Sequence, residues 1–183
     1  MDLIDYFSRE VTEVARDLIG ATFLVDGVGG LIVETEAYHP SDAASHSFSG
    51  PTQRNRSMFE GPGRVYVYRS YGIHWCVNFV CSGAAAILIR AIEPTHGLVE
   101  MAARRGLSNP RDLCSGPGKV GQALGITRAL DGHLLAAPPF TFIPAKAPES
   151  VVIGPRIGIS KAIDMPWRFG LAGSPFLSRK FAG

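Results

Sequence analysis

A chain of 183 residues, 46% hydrophobic and 19% charged, is sized for one well-packed domain and has the composition of an ordered globular protein. A formal net charge of +2 excludes a protein-wide basic field, yet the cations are mostly arginines, with lysine only at Lys119, Lys146, Lys161 and Lys180. The planar guanidinium fork suits phosphate oxygens, so this balance is compatible with nucleic-acid binding without demonstrating it.

Cys76, Cys81 and Cys114 are odd in number and form no C-x-x-C pattern, which argues against a disulfide framework or a zinc ribbon and fits a reducing cytoplasm. The Met-Asp-Leu-Ile-Asp start has no basic leader region, and no apolar run is long enough to span a bilayer. The expectation is a cytoplasmic protein with no membrane attachment.

In chain order, Ser8 is placed to cap a helix reaching about residue 18, with Val11, Val14, Ala15 and Leu18 on one face and Gly20 as its stop. Strands read at 21–25 and 30–37, and residues 39–62 form a long polar connection of the kind that usually carries function. Further strands read at 64–69, 74–81 and 85–92, followed by a helix over 97–105 and an Asn109-Pro110 start of another. Ser115-Gly-Pro-Gly-Lys leads into a short helix ending near Gly125, and a last strand reads near 151–159. The turns between strands are too short for crossover helices. The pattern therefore predicts a single mixed α/β (α+β) domain over 1–183, with a largely antiparallel curved sheet, a protruding β-hairpin and surrounding helices.

The run Ile-Val-Glu-Thr-Glu-Ala-Tyr at 32–38 has strand composition, and its two-residue spacing puts Glu34, Glu36 and Tyr38 on one face. A carboxylate beside an aromatic ring is suited to a base next to a flat, stackable group. A half-solvated strand with an acidic outer face has the same spacing. In the hairpin, Tyr66 and Tyr68 share a face, and Tyr71 stands at the tip ahead of Gly72, Ile73 and His74. An exposed tip tyrosine makes physical sense if its ring inserts into something, a DNA base step being one such receptor. Asn78, among β-branched and aromatic neighbours, needs hydrogen-bond partners or a pocket. Arg90, inside Ala-Ile-Leu-Ile-Arg-Ala-Ile, needs an anion, and Glu36 and Glu93 are the nearest by type. His39, Asp42 and His46 have a loose H-x2-D-x3-H spacing that is not a strong zinc pattern, so no metal site is expected.

Taken together, the blocks Val33-Glu-Thr-Glu-Ala-Tyr38, Thr52-Gln-Arg-Asn-Arg56, Val65-Tyr-Val-Tyr68, Tyr71-Gly-Ile, Cys76-Val-Asn78, Leu88-Ile-Arg-Ala-Ile-Glu-Pro94 and Leu113-Cys-Ser-Gly-Pro-Gly-Lys119 resemble the alkyladenine (3-methyladenine) DNA glycosylase family, in a compact bacterial form. They keep the family's order and span about residues 15 to 175. The resemblance implies removal of alkylated or deaminated purines from double-stranded DNA, by base flipping and hydrolysis of the N-glycosidic bond, with no cofactor and no protein partner. It implies that Glu36 activates the water and that Arg90 holds it. Tyr38, His46 and Tyr68 would stack on the flipped base, Asn78 would exclude guanine, and Tyr71 would be the intercalating wedge, flanked by Ile73 and His74. The loop before His46 is one residue shorter than in some relatives, and Ile73 and His74 replace different side chains there.

Apart from Lys119, which ends the last block, the blocks contain no lysine, so a Schiff-base step is not expected. Arg54, Arg56, Arg69 and the helix start after Ser115-Gly-Pro-Gly are the expected phosphate contacts. Two other readings are a non-catalytic DNA-binding module on the same scaffold, which retention of Glu36 with Arg90 argues against, and a metal-dependent hydrolase built on His39, Asp42 and His46.

Overall fold

The computed structural model describes residues 2–147 and 149–181. The chain opens with two short helices in place of the one expected. The Asp2 carboxylate caps α1 (Leu3–Phe7), and Ser8 closes that helix, its hydroxyl donating to Ile4 O at 2.7 Å. The Glu10 carboxylate then caps α2 (Val11–Asp17) by accepting from the N–H groups of Thr12 and Glu13. A serine hydroxyl serves a carbonyl four residues back as readily as an amide ahead, and here the backward bond ended one helix instead of starting another. The apolar face is as read: Val11, Val14, Ala15 and Leu18 are all buried.

Five strands follow the predicted sequence: β1 (Thr22–Val25), β2 (Val28–Tyr38), β3 (Val65–Ser70), β4 (His74–Val80) and β5 (Ala86–His96). The 39–62 connection is a chain of turns with one 3-10 turn, Arg56–Phe59. Three helices, α3 (Leu98–Arg105), α4 (Pro110–Leu113) and α5 (Pro117–Ala123), precede β6 (Phe140–Ile143), β7 (Val151–Gly154) and β8 (Arg168–Leu171). Among the described residues the strands form one antiparallel sheet in the order β3-β4-β5-β2-β1-β6, with β8 joined to β2 and β7 to β8. The strand expected near 151–159 ends at Gly154, and 155–162 runs on without strand pairing. β6 and β8 are additions that the sequence pattern did not mark.

Period-two alternation gives this sheet two different faces. Val65 and Val67, Val77 and Phe79, Ile87 and Ile89, and Ala37 point into the main core, where α1, α2, α3 and α5 cover them with Phe7, Val14, Leu18, Met101 and Val120. The alternate residues, Tyr66 and Tyr68, Cys76 and Asn78, Leu88 and Arg90, and Tyr38, face the opposite way, onto a cavity. Cys81, in contrast to Cys76, lies in the core cluster.

The β2–β5 ladder shifts register on either side of Glu34: Ile32 pairs with Ile92, Glu34 with Ala91 and Thr35 with Ile89, leaving Val33 and Arg90 as extra residues. Such bulges re-aim side chains locally. This one sets Arg90 between the two strand glutamates.

Two glycines of the Gly-Pro-Gly-Lys-Val-Gly stretch explain themselves by packing. A Cβ on Gly118 would lie 2.8 Å from His74 Cβ, and one on Gly121 would lie 1.9 Å from the Trp75 carbonyl oxygen. α5 therefore presses against the strand leaving the hairpin tip. Among the described residues no helix is long and apolar enough to cross a membrane.

Candidate active site

The cavity on the second face of the sheet measures about 580 Å³. One side is the β3–β4 hairpin, with Tyr66, Tyr68, Cys76 and Asn78; the floor is Leu88 and Arg90 of β5; the other side is Tyr38. Ala43, Ala44 and His46 from the long connection and residues 157–161, a strap following β7, complete the lining.

The aromatic walls are fixed by hydrogen bonds. His46 Nδ1 lies 2.9 Å from the Tyr66 hydroxyl, and its ring meets Tyr68 edge-on at 4.6 Å. Tyr66 and Tyr68 stack at 5.7 Å with 24° between planes. The His46 carbonyl accepts from Asn55 Nδ2 at 2.8 Å, which explains the buried Asn55 of the Thr-Gln-Arg-Asn-Arg block as the anchor of the His46 turn. The His46 ring keeps an exposed edge, while its partial burial and nearby Arg54 draw its pKa below the ordinary value. Burial, with Asp131 nearby, pushes the Tyr66 hydroxyl up to about 12, and burial also raises Tyr38 and Tyr68, so all three hydroxyls keep their protons.

Asn78 is buried and donates Nδ2 to the carbonyl of Tyr66, its cross-strand partner, at 3.2 Å. An amide has two N–H groups and a carbonyl. One N–H is spent on the sheet, and the rest of the amide faces the cavity.

Glu36 is fully buried and is not itself part of the cavity lining. Three lining residues sheathe it. Ile157 N–H donates to Oε1 at 2.7 Å, the Tyr38 hydroxyl donates to Oε2 at 2.8 Å, and Arg90 Nη1 lies 3.3 Å from Oε2. Burial pushes the carboxyl above the usual glutamate range, and Arg90, the Ile157 amide and Tyr38 pull it back only in part.

Arg90 has a different second partner from the one expected. Its Nε donates to Glu34 Oε1 at 3.0 Å, so the guanidinium bridges Glu34 and Glu36, while Glu93 stands opposite Leu31 further along the ladder. Glu34, for which a surface role was open, is fully buried; Arg168 Nε and the backbone and hydroxyl of Ser178 also donate to it.

His39, Asp42 and His46 do not come together as ligands. His39 contacts Ser41, Asp42 pairs with Arg156, and His46 contacts Tyr66. Among the described residues no three His, Cys, Asp or Glu side chains converge on a metal-sized site.

The hairpin tip carries Tyr71, 86% exposed, in the left-handed region with φ of 50°. It reaches the cavity mouth; Ile73 and His74 are exposed beside it and do not line the cavity. Arg54 and Arg69 line the mouth, and Arg69 stacks over Trp75 at 5.6 Å. Arg56 points away to an exposed pair with Glu60. Tyr66 and the strap residues complete the cavity beyond the expected set, and Arg54, expected at phosphates, lines it as well. The cavity is therefore not free of lysine as expected: Lys119 of the Leu113–Lys119 block does not line it, but Lys161 enters from the strap, which shows no periodicity that would mark it.

Comparison with known proteins bears directly on this arrangement. The family model for methylpurine-DNA glycosylases matches residues 5–175. The chain belongs to the methylpurine-DNA glycosylase family. A Nitrosospira multiformis relative is 65% identical over 178 residues, covering 96% of this chain and 92% of its own length. Relatives from Rhizobium meliloti, 59% identical over 178 residues, and Rhodopseudomonas palustris, 61% over 179, cover 97% and 96% of this chain and 96% and 87% of their own lengths. All three are named, provisionally, 3-methyladenine DNA glycosylases. Membership makes the chain a DNA repair glycosylase acting in base excision, which removes the non-catalytic reading.

Proposed function

We propose that this glycosylase flips alkylated or deaminated purines out of double-stranded DNA and hydrolyses their N-glycosidic bond with a water activated by Glu36, leaving an abasic site. The observation that carries this reading is the Glu36 environment: a buried carboxylate held by Tyr38, Ile157 and Arg90, all three of which line an aromatic-walled cavity.

A duplex hides the glycosidic bond, so the target must be unstacked at a cost of a few kcal/mol. Tyr71 fills the gap it leaves. The extruded base then stacks between Tyr38 on one side and His46 with Tyr68 on the other. A cationic N-alkylpurine gains about 0.5–2 kcal/mol from electron-rich tyrosine faces. The neutral histidine adds no opposing charge. Asn78, pinned to Tyr66, stands where a 2-amino group would need room, which disfavours guanine.

Glu36 takes the water proton and its negative charge stabilises the oxocarbenium-like sugar. A raised carboxyl pKa makes it a better base than an ordinary glutamate. Arg90 and the Ile157 amide hold the carboxylate, and Arg90 reaches the cavity to orient the water. Arg54 and Arg69 at the mouth contact flanking phosphates, joined by Arg56, whose exposed pair with Glu60 is weak enough to break. The segment entering α5 offers its N–H groups to the same backbone. A DNA substrate of this kind implies a cytoplasmic, nucleoid-associated protein.

The deciding experiment uses duplexes carrying one 3-methyladenine, ethenoadenine or hypoxanthine in single-turnover excision. Glu36→Gln should lose excision by about a thousandfold or more, as expected when a general base and a charge-stabilising group go together, with lesion binding kept. Excision by the variant at the parent rate would rule out the assigned mechanism.

A further inference from the structure

Glu34 has no part in the scheme just given, yet it sits in a heavily bonded charge cluster. Oε1 accepts from Arg90 Nε at 3.0 Å, Arg168 Nε at 2.8 Å and Ser178 Oγ at 2.7 Å, and Oε2 accepts from Ser178 N–H at 2.5 Å. Arg90 Nη2 in turn donates to Ser178 Oγ at 3.3 Å. The cluster holds two carboxylates and two guanidiniums. Of the two guanidiniums, Arg90 touches both carboxylates and Arg168 only Glu34.

We propose that Glu34 is a positioning residue that shares Arg90 with Glu36 and, together with Arg168 and Ser178, sets how much of that guanidinium the catalytic carboxylate receives. This rests on the Glu36 reading above and deepens it. An arginine and a carboxylate left alone close into a bidentate fork. That fork would hold Glu36 ionised too firmly for it to accept a proton from water. Glu34 prevents this by occupying the Nε edge of Arg90, so that Glu36 keeps a single, longer contact from Nη1. Arg168, on β8, draws on Glu34 from the other side and limits its pull. Ser178 clips the chain end onto the same oxygens, so residues far along the sequence complete the catalytic charge balance.

The groups facing Glu36 are Glu34 and Tyr38 on β2, Arg90 on β5, the Ile157 amide of the strap and Tyr68 on the hairpin, with Arg156 beyond the Tyr38 ring. Of these, the Glu34 charge raises the Glu36 carboxyl and Arg90 lowers it. Removing Glu34 therefore acts twice in one direction, by deleting a like charge and by releasing Arg90 to Glu36. Removing Arg168 acts in the other direction, because Glu34 then competes harder for Arg90.

The test is the pH profile of single-turnover excision on a cationic N-methylpurine, whose departure needs no leaving-group proton, so that the acid limb reports the base. Glu34→Gln should move that limb to lower pH and reduce the plateau about tenfold; Arg168→Gln should move it to higher pH, each by about half a unit or more for loss of one nearby charge. Ser178→Ala, which keeps the backbone bond, should slow excision about threefold to tenfold, the value of one buried hydrogen bond, with lesion affinity unchanged. A merely structural role would lower stability in all three and leave the limb in place. Limbs coincident with the parent in both charge variants overturn the proposal. If Glu34→Gln fails to fold, an unmoved limb in Arg168→Gln with an unchanged rate in Ser178→Ala overturns it equally. An inactive Glu36→Gln alongside unmoved limbs would sink this inference alone, whereas an active Glu36→Gln would remove the mechanism beneath it.

Discussion

Ile157 donates its backbone N–H to Oε1 of Glu36 at 2.7 Å, across 121 positions of sequence. What holds Ile157 there is its neighbour. The fully buried Arg156 side chain pairs with Asp42, donates to Ala37 O at 2.9 Å and Ala162 O at 3.2 Å, and lies 4.6 Å from the Tyr38 ring centroid and 5.3 Å from that of Trp167. One guanidinium thus ties the end of β2, the turn leading to His46 and both ends of the strap. Asp42→Asn would leave it buried without its counter-charge, a loss of about 3–5 kcal/mol for a broken buried pair. Urea unfolding should show that loss, and excision by the folded fraction should fall with it. Parent stability in the variant would mean the pair does not hold the strap.

The Glu36 pKa, raised mainly by burial, carries a stability consequence of definite sign. A carboxyl whose folded pKa lies above its unfolded value binds its proton more tightly when folded. Its contribution is fully present below the unfolded pKa and is lost as pH rises through the folded one. The ionised Glu36 is therefore a stability cost at neutral pH, consistent with strain kept at functional sites. Glu36→Gln should be at least as stable as the parent at pH 7, with any advantage vanishing below about pH 4, near the unfolded carboxyl value. Thermal melts at both pH values check this. A variant clearly less stable at pH 7 than at pH 4, relative to the parent, would contradict the sign.

Much of the site could be read from the sequence because most of it lies on strands. Two-residue alternation alone puts Tyr66 with Tyr68, and Cys76 with Asn78, on the cavity side. Glu34 and Glu36 share a face for the same reason. Spacing alone does not separate their roles; the family resemblance singles out Glu36, while the burial of Glu34 was not legible, since its partners Arg168 and Ser178 stand 134 and 144 residues away. Glu93 looked a suitable partner for Arg90 because the register shift at Glu34 has no local signature. The strap was not marked for a related reason: it lies within residues 155–162, which form neither helix nor strand, and the contacts of Arg156 and the Ile157 bond to Glu36, both made with distant groups, give it its place. Ser8 misled because a hydroxyl cap can face either way along the chain.

Tyr71 combines 86% exposure with a left-handed φ of 50°, two features that work against stability. For a bulky residue that backbone costs of order 1 kcal/mol or more. Asparagine tolerates the conformation. Tyr71→Asn should thus keep stability within about 0.5 kcal/mol of the parent or exceed it. Lesion-duplex affinity should fall by about 5- to 150-fold, the worth of one base–aromatic stack of 1–3 kcal/mol. Fluorescence anisotropy on damaged duplex, beside a denaturation curve, separates the two effects. Unchanged affinity would remove Tyr71 from the wedge role.

Gly121 tests whether α5 sets the hairpin. Its missing Cβ lets the helix backbone close onto the Trp75 carbonyl, where a methyl group would sit 1.9 Å from the oxygen. Neither partner is a flexible side-chain end, so relief requires the helix or β4 to move. Overpacking of this kind costs about 1–3 kcal/mol. Because β4 begins at His74, directly after the tip that carries Tyr71, the displacement reaches the DNA-facing turn as well as the core. Gly121→Ala should therefore lose stability and lesion affinity together, while excision of bound lesion is slowed less, since Glu36 and Arg90 lie on β2 and β5. Measured by denaturation, binding and single-turnover excision, a variant within about 0.5 kcal/mol of the parent would show that the helix can stand off from the strand without consequence.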